Sequence, residues 1–406
     1  MSLPLLPVPI STISIYWAVF FLMLTTPTSS QSRRCEADQY YLSHPQPIKP
    51  IPSKGYGLQS RAITILPVVV HVVWNSEDEN INQRAIEKQI DRLNLEFNNP
   101  NTSRKSIPVE FRPVTGNPGI QFCLVRRDPN GNPHSGIVRS QTMVKNIGSA
   151  RDGFGKYLIH YNGTGQAAWN PQRYINIWIG KMDNIFGRST IGGTQFPAEE
   201  DGIVIDPTQF GVDFSREVLG RTLVHEMGHY LGLQHLWGSR IDDCIEDDGI
   251  SDTPVQDGPY FGCPVYPQRS CGNNNMFMNF MDFVDDFCMD LFTRDQVIQM
   301  HQTLTNYRPG LLAPREDCMS LISPVDLSTI NYYHQPSQQM LTIQATSNPA
   351  MPVYIEVSNI LGQRIYQQKW EWVASAQIST KSWLTGIYLI NLRYNKERRT
   401  IKLFIP

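Results

Sequence analysis

The amino-acid sequence predicts an α+β fold for most of the chain and a small all-β sandwich for its C-terminal part. Two observations predict this division. Buried, strand-like runs and amphipathic helices occupy the chain up to about residue 308, whereas short alternating strands separated by turn residues follow beyond about residue 325. Between them, Pro309–Pro324 lacks periodicity, as a linker does. We therefore expect an α+β domain over 62–315, a linker over 316–325 and a sandwich over 326–406.

Hydrophobic periodicity predicts the elements of the α+β domain. The run ILPVVVHVVW, Ile65–Trp74, indicates a fully buried strand, and apolar residues at helical spacing indicate an amphipathic helix over Gln83–Phe97. Two further core strands are predicted at Gly119–Val125 and Tyr174–Gly180. Two further helices are predicted at Arg216–Leu233 and Thr293–Leu304, the second with Thr293 as its cap.

The segment Ile191–Phe196, with sequence IGGTQF, is predicted to be a short strand. It is either an ordinary edge strand or an edge left open for an extended peptide to pair with. We expect substrate to bind alongside it.

The C-terminal part alternates apolar and polar residues in a way typical of strands. Apolar residues alternate over Val353–Val357 before a turn at Leu361-Gly362, and they alternate again over Tyr388–Tyr394 and Ile401–Ile405. This pattern predicts a small antiparallel sandwich.

The N-terminal residues indicate export. An apolar run, Ile10–Leu24, precedes the small polar stretch Thr25–Ser30, and it is shorter than the about 20 residues that a membrane-spanning helix needs. Residues 1–30 are therefore predicted to be a signal peptide, with an uncleaved anchor as the alternative because no Lys or Arg precedes the run. Residues 31–61, polar and rich in proline, are predicted to be a prosegment. We expect no stable membrane span in the secreted or cell-surface protein.

The charge balance argues against nucleic acid as a partner. The chain has 35 Lys+Arg and 37 Asp+Glu, and its formal net charge is −2. A nucleic-acid-binding protein needs an excess of positive charge to neutralise phosphates.

The seven cysteines fit an oxidising compartment. Four of them lie within one short stretch and permit three disulfide pairings, among which spacing does not choose: Cys244, Cys263, Cys271 and Cys288. Cys123 lies inside a predicted core strand and is predicted to be a buried free thiol. Cys35 and Cys318 remain.

The sequence HEMGHYLGLQH, residues 225–235, contains the candidate metal ligands and the candidate general base. His225 and His229 are one helical turn apart and share a helix face. Gly232 can adopt a positive φ and end the helix, so that His235 approaches from another direction. Three imidazoles would then hold zinc with a fourth position open for water, and Glu226 would act as general base. A decayed site that binds zinc without turnover is the alternative.

This motif resembles that of the metzincin metalloproteases. These carry a downstream methionine in a tight turn beneath the metal, a role that Met281 in Asn279–Phe283 fits. The resemblance narrows to the pappalysin family over about residues 62–310. It rests on Gly220–Val224 before the zinc motif, on Asp248–Pro254 after it, on the four clustered cysteines and on Phe292-Thr293.

The resemblance implies a mixed twisted sheet with a zinc helix, and disulfides Cys244–Cys271 and Cys263–Cys288. One position departs from the family pattern. Two residues after the methionine, relatives usually have a tyrosine that can support the oxyanion, whereas this chain has Phe283. Because a lost oxyanion donor can cost about 10²–10³ in rate, we expect an active but slower enzyme unless another donor substitutes.

Two further sites are expected from the resemblance. A structural calcium ion would be held by Asp248, Asp252 and the backbone at Thr253, the alternative being a solvated acidic loop. The thiolate of Cys35 in the prosegment would occupy the open zinc position and keep the enzyme latent until cleavage near Arg61. The alternatives for Cys35 are a disulfide with Cys318 or a thiol without function.

The C-terminal domain resembles the sorting domain of type IX secretion in Bacteroidetes. The resemblance rests on Asn359–Gln363, on Thr385–Leu389 and on the basic pair Arg398-Arg399. It implies export through the periplasm of a Gram-negative bacterium, with the secretion machinery as a partner. A carbohydrate-binding or adhesive sandwich is the alternative.

Together these observations predict a secreted zinc endopeptidase that hydrolyses peptide bonds of extracellular proteins. The alternative from another class is a surface adhesin or binding protein whose metalloprotease fold has lost activity. Sequence does not reveal the natural substrate, the cleavage preference, the activation route or the oligomeric state.

Overall fold

The computed structural model describes residues 33–36, 63–98 and 107–313, except 195 and 243. It also describes residues 318, 327 and 330–405, the last range with gaps at 337–338, 345–352, 371–374 and 395–396. The predicted signal peptide, most of the prosegment with Arg61, and the predicted linker except Cys318 lie outside these residues. Within the described part of the chain, no helix is long and apolar enough to cross a membrane.

A mixed sheet forms the upper half of the first unit. Its described strands are β1 (Arg33–Cys35), β2 (Thr64–Trp74), β3 (Ile120–Leu124), β4 (Ile137–Gln141), β5 (Ile175–Ile179), β6 (Ile185–Ser189) and β7 (Ile203–Ile205). They lie in the order β1-β6-β7-β5-β2-β3, with β4 also paired to β2. Strand β6 runs antiparallel to β7, while β7, β5 and β2 run parallel. The α+β prediction is confirmed.

Three α-helices in the described residues pack against this sheet or below it: α1 (Gln83–Phe97), α2 (Arg221–Tyr230) and α3 (Arg294–Tyr307). Helix α1 has the predicted bounds, and its N-cap Asn82 accepts a hydrogen bond from Ala85 N. Helix α3 begins at a capping box formed by Thr293 and Gln296. One continuous apolar core joins these helices to the inner face of the sheet.

Helix α2 is shorter than the predicted Arg216–Leu233. Gly220 has φ 74°, and Glu217 before it has φ 58°, so the backbone before Arg221 is not helical. At the other end, Gly232 has φ 90° and donates its N–H to His229 O at 2.8 Å, which terminates the helix. The predicted span included both of these turns.

The predicted strand Ile191–Phe196 is wrong. Residues 191–194 form a turn, in which Gly193 has φ 91° and Thr194 N donates to Ile191 O. Gly192 packs against the end of α2, where its N–H donates to His229 O at 3.0 Å. The edge of the sheet lies earlier, at β6, and in this structure β1 pairs with it in parallel.

Below α2, residues 231–293 contain little regular structure apart from the short hairpin of β8 (Arg269–Ser270) and β9 (Asn273–Asn274), and they are crosslinked by disulfides. The structure forms Cys244–Cys271 and Cys263–Cys288, the pairing that the family resemblance implies.

The prediction of a free thiol at Cys123 is wrong, because Cys123 forms a disulfide with Cys318. The same bond excludes the alternative pairing of Cys35 with Cys318. It also ties a residue of the predicted linker to strand β3.

The C-terminal unit is the predicted all-β sandwich. One antiparallel sheet contains β10 (Asn331–Gln335), β11 (Met340–Gln344) and β14 (Ser375–Ser379). The other contains β12 (Val353–Asn359), β13 (Arg364–Trp370), β15 (Gly386–Tyr394) and β16 (Glu397–Ile405). The inward residues of both sheets share one apolar cluster, separate from the core of the first unit.

Candidate metal centre

Three imidazoles converge at the C-terminal half of α2. His225 and His229 project from one face of the helix, and the turn at Gly232 returns the chain so that His235 faces them. The three Nε2 atoms lie 3.1–3.2 Å from one another, and all three residues are completely buried. The sequence thus predicts this cluster correctly.

Backbone carbonyls orient two of the rings. His225 Nδ1 lies 2.7 Å from Phe280 O, and His229 Nδ1 lies 2.9 Å from Leu233 O. A carbonyl can only accept, so each Nδ1 carries the proton and each Nε2 presents its lone pair to the centre.

The residues present fit a metal ion. An ion bound tetrahedrally at about 2.0–2.1 Å places its nitrogen ligands about 3.3–3.4 Å apart, close to the spacing of the Nε2 atoms. Several lone pairs at this spacing, buried away from water, would repel one another unless a cation lay between them. The donor set therefore suits a metal that prefers imidazole ligands.

The carboxylate of Glu226, the residue after His225 in α2, lies beneath the edge strand β6. A Cβ added at Gly187 would lie only 2.7 Å from Glu226 Oε1 and 2.8 Å from its Cγ. Only glycine at position 187 therefore lets the backbone of β6 pass this close to the carboxylate.

Met281 packs against helix α2 at Gly228, the residue before His229. It is completely buried, and a Cβ added at Gly228 would lie 2.5 Å from its Sδ. The aromatic ring of Phe283 packs near His235, with ring centroids 4.8 Å apart, and near Trp237 at 5.0 Å. This side chain fills space beside the imidazoles but offers no hydrogen-bond donor.

Cys35 reaches the same centre from the prosegment. Its Sγ and the ring nitrogens of the three histidines all lie within 4.8 Å of one another. Strand β1 places it there, because Cys35 pairs in register with Gly187. Cys35 is buried, and the other six cysteines of the chain are paired in disulfides.

The loop after the zinc motif holds two further carboxyl groups away from water. Asp248 Oδ1 accepts from Thr253 Oγ1 at 2.7 Å and from Ile250 N at 3.1 Å, while Asp252 Oδ2 accepts from Asp295 N at 3.0 Å. The remaining oxygens, Asp248 Oδ2 and Asp252 Oδ1, are buried and make no hydrogen bond with the described residues. Burial raises the pKa of Asp248 to about 8 and also raises that of Asp252. Carboxylates placed in this way suit a bound cation.

Several residues that position the centre escaped the sequence analysis. Asp286 Oδ2 accepts from Leu219 N at 2.9 Å and from Arg221 N at 3.0 Å, and so caps α2 from a distant part of the chain. Gly187 lets β6 approach Glu226 closely, and Gly228 lets α2 approach Met281 closely. Of these two glycines, only Gly228 lies inside the motif HEMGHYLGLQH, which the sequence analysis singled out. Glu36, next to Cys35, contacts basic residues above the cleft.

The fold and this centre define a metallopeptidase: a helix carrying two imidazoles and a glutamate, a third imidazole after a glycine turn, and a sheet edge passing over the glutamate. Comparison with known proteins gives the family. Residues 162–305 match the pregnancy-associated plasma protein-A peptidase family, and residues 331–406 match the secretion system C-terminal sorting domain.

Solved structures extend the match. Mature mirolysin of Tannerella forsythia, in complex with a cleaved peptide, is 36% identical over 63% of this chain and 100% of its own, with a TM-score of 0.55. A promirolysin variant is 33% identical over 71% of this chain and 98% of its own, with a TM-score of 0.57. An extracellular metalloprotease of Arthroderma otae is 27% identical over 59% of this chain and 78% of its own. The chain belongs to the pappalysin family and is a metalloendopeptidase, and its C-terminal sorting domain indicates an exported protein.

Proposed function

We propose that the protein is a secreted zinc endopeptidase in which Glu226 is the general base. The observation that carries the proposal is the convergence of the Nε2 atoms of His225, His229 and His235 at 3.1–3.2 Å, at the helix that also carries Glu226. Zinc bound there would lower the pKa of a water molecule and polarise the scissile carbonyl.

The residues of the chain supply the remaining steps. Glu226 takes the proton of the attacking water and later delivers it to the leaving amine. Its position under Gly187 supports this role, because a peptide paired with β6 would pass over the carboxylate. Phe283 contributes no donor to the developing oxyanion, so turnover depends on the metal and on Glu226 more than in relatives with a tyrosine there.

The prosegment keeps the enzyme latent through Cys35. The proximity of its Sγ to the three imidazoles supports this, because zinc binds thiolate strongly and the open ligand position would be filled. Strand β1 at the same time covers the edge that substrate would use. Removal of the prosegment exposes both the open ligand position and the sheet edge at β6.

A calcium ion stabilises the loop Asp248–Thr253. The two buried carboxylate oxygens that lack a hydrogen bond, one on Asp248 and one on Asp252, support this site, with Thr253 closing the loop between them. Its role is structural, since the loop lies between the zinc motif and α3.

The sandwich directs export across the periplasm of a Gram-negative bacterium, with the secretion machinery as its partner. The match of residues 331–406 to the sorting-domain family supports this role. The substrates are extracellular peptides or proteins.

The test uses the secreted chain after prosegment removal, with a denatured protein as substrate. Wild type cleaves it. We expect Glu226→Ala to lose about 10²–10⁴ in kcat/KM while keeping one zinc per chain, and chelator treatment to abolish activity. Glu87→Ala, on the exposed face of α1, is the matched control. If wild type, Glu226→Ala and the chelated sample are equally inert although zinc is bound, the protein is an inactive binding protein.

A further inference from the structure

We propose that Arg188, Arg151 and Tyr157 form a carboxylate-binding subsite beside the metal centre. In the precursor the subsite holds Glu36, and in the processed enzyme it accepts an acidic side chain of the peptide substrate. The second half of this inference rests on the proposed peptidase function, whereas the first half does not.

The Glu36 carboxylate makes three polar contacts in the structure. Its Oε2 lies 3.3 Å from Arg188 Nη1 and accepts from Tyr157 Oη at 3.1 Å, and its Oε1 lies 3.5 Å from Arg151 Nη2. The side chain of Glu36 is 10% exposed. Two guanidinium groups and one hydroxyl thus surround one carboxylate, which leaves an excess of positive charge at the site.

Arg188 is held in place independently of the prosegment. Its Nη1 also donates to Gly148 O at 3.2 Å, and its Cζ lies 3.3 Å from the centroid of the Tyr157 ring, against which Arg151 packs from 4.0 Å. The Arg188 side chain is 4% exposed, and its Nη2 makes no hydrogen bond with the described residues. A buried guanidinium is costly unless an anion accompanies it. The site is therefore built for a carboxylate.

The subsite adjoins the cleft through the register of the edge strand. Cys35, at the metal centre, pairs with Gly187, and the next residue, Glu36, donates its N–H to Gly187 O at 3.2 Å. Because successive side chains of a strand point to opposite faces, Cys35 turns toward the imidazoles and Glu36 toward Arg188. A peptide that replaces β1 at this edge would offer one side chain to the same subsite.

The direction in which a substrate peptide pairs with β6 decides which of its side chains reaches the carboxylate-binding subsite. Antiparallel pairing is the more stable arrangement per residue, and it would reverse the direction of β1. Arg188 follows Gly187 in β6, so it would then lie opposite a residue that precedes the scissile bond. The preferred substrates therefore carry Asp or Glu on the N-terminal side of the cut.

The first experiment measures anchoring of Glu36 without using activity. In the full chain six of the seven cysteines are in disulfides, so a thiol reagent labels Cys35 selectively. With the metal removed by chelation, we expect Glu36→Gln to speed labelling about tenfold and Arg188→Gln to speed it less, because Arg151 and Tyr157 still contact Glu36 in that variant. The double variant should label no faster than Glu36→Gln, since Arg188 has no carboxylate left to anchor. Arg216→Gln, in an exposed pair with Asp213, is the matched control. Equal labelling rates in all chains, or additive effects, would overturn the anchoring role.

The second experiment uses the processed enzyme and pairs of peptides that differ by Glu or Gln at one position. We expect about tenfold higher kcat/KM for glutamate at one position before the cut, and we expect Arg188→Gln and the half-exposed Arg151→Gln to reduce this ratio toward one. If Arg188→Gln does not fold, Arg151→Gln alone tests the subsite. Cleavage of both peptides at equal rates, a preference after the cut, or a preference that survives these variants would contradict the inference. If wild type cleaves neither peptide, the proposed function itself fails.

Discussion

At the scale of single residues, two buried histidines bind protons less readily in the folded protein than in the unfolded chain. His71 on β2 hydrogen-bonds Asn176 at 2.9 Å and stacks on Trp178. His160 packs edge-on against the same Trp178 ring, with ring centroids 4.4 Å apart. Burial lowers the pKa of His71 to about 4, and burial together with the charge of Arg188 lowers that of His160. Neither residue belongs to the metal centre.

We predict that the contribution of His71 to the free energy of unfolding falls as pH decreases from about 6.5 to about 4. The contribution of Asp248 has the opposite sign, because its raised pKa makes the folded state the more protonated one in this window. In this window the unfolded state binds a proton at His71 and the folded state does not, so protonation favours unfolding, at a cost of about 3 kcal/mol for this group. His71→Gln, which can still donate to Asn176, should remove this contribution, so its free energy of unfolding should gain about 3 kcal/mol relative to wild type between pH 6.5 and pH 4. Urea unfolding at several pH values measures it, with His334→Gln in the sandwich as control; an unchanged slope in His71→Gln would refute the assignment.

A second residue-scale prediction concerns Gly228, inside the zinc motif. A Cβ there would meet Met281 Sδ at 2.5 Å, and Met281 is completely buried, so it has no open space to move into. Gly228→Ala should therefore destabilise the protein by about 1–3 kcal/mol and weaken zinc retention. Gly153→Ala is the control, because nothing lies within 4 Å of its Cβ. Thermal unfolding and metal content after dialysis are the measurements, and equal values for both variants would contradict the packing argument.

At the scale of elements, local signals predicted some boundaries and long-range contacts set the others. Helix α1 has the predicted bounds because its periodicity and its cap Asn82 both lie within the helix sequence or next to it. Helix α2 starts where it does because Asp286, far along the chain, caps it and because Gly220 has a positive φ. The turn at Ile191–Thr194 likewise depends on packing against the end of α2. No local pattern carries that information.

The loop Asp248–Thr253 gives an element-scale prediction about calcium. Asp252 Oδ2 accepts from the N–H of Asp295 in the first turn of α3, so order in the loop is coupled to that helix. Calcium at 100 times its dissociation constant should add about 2.7 kcal/mol to the free energy of unfolding. Asp248→Asn should remove most of this increment, while Asp128→Asn, in an exposed turn, should not. Thermal unfolding with and without calcium decides, and a Tm independent of calcium in wild type would exclude the site.

At the scale of the whole molecule, the two units were predictable, whereas the disulfide that ties the linker to the first unit was not. The change from mixed elements to alternating strands is visible in the sequence, and the two cores are indeed separate clusters. The Cys123–Cys318 disulfide spans 195 residues, and spacing cannot identify a partner at such a distance. It extends the covalent unit of the first core beyond the predicted boundary at residue 315.

This disulfide predicts where the chain can be truncated. Cys318 packs with Cys123, Val69 and Tyr174 on the outer face of the sheet, whereas the sandwich contributes nothing to that cluster among the described residues. A chain ending after Pro324 should keep the stability of the peptidase unit and, once processed, its activity, because it retains Cys318. A chain ending after Ala313 should lose about 2–5 kcal/mol, as loss of a native disulfide typically costs.

The full-length double variant Cys123→Ser/Cys318→Ser separates the bond from the missing residues. We expect it to lose as much stability as the chain ending after Ala313, since the bond accounts for the difference between the two truncations. Urea unfolding followed by tryptophan fluorescence compares all four proteins. If both truncated chains unfold at the same urea concentration, the disulfide does not support the first core, and the peptidase unit ends before Cys318, as the sequence alone predicts.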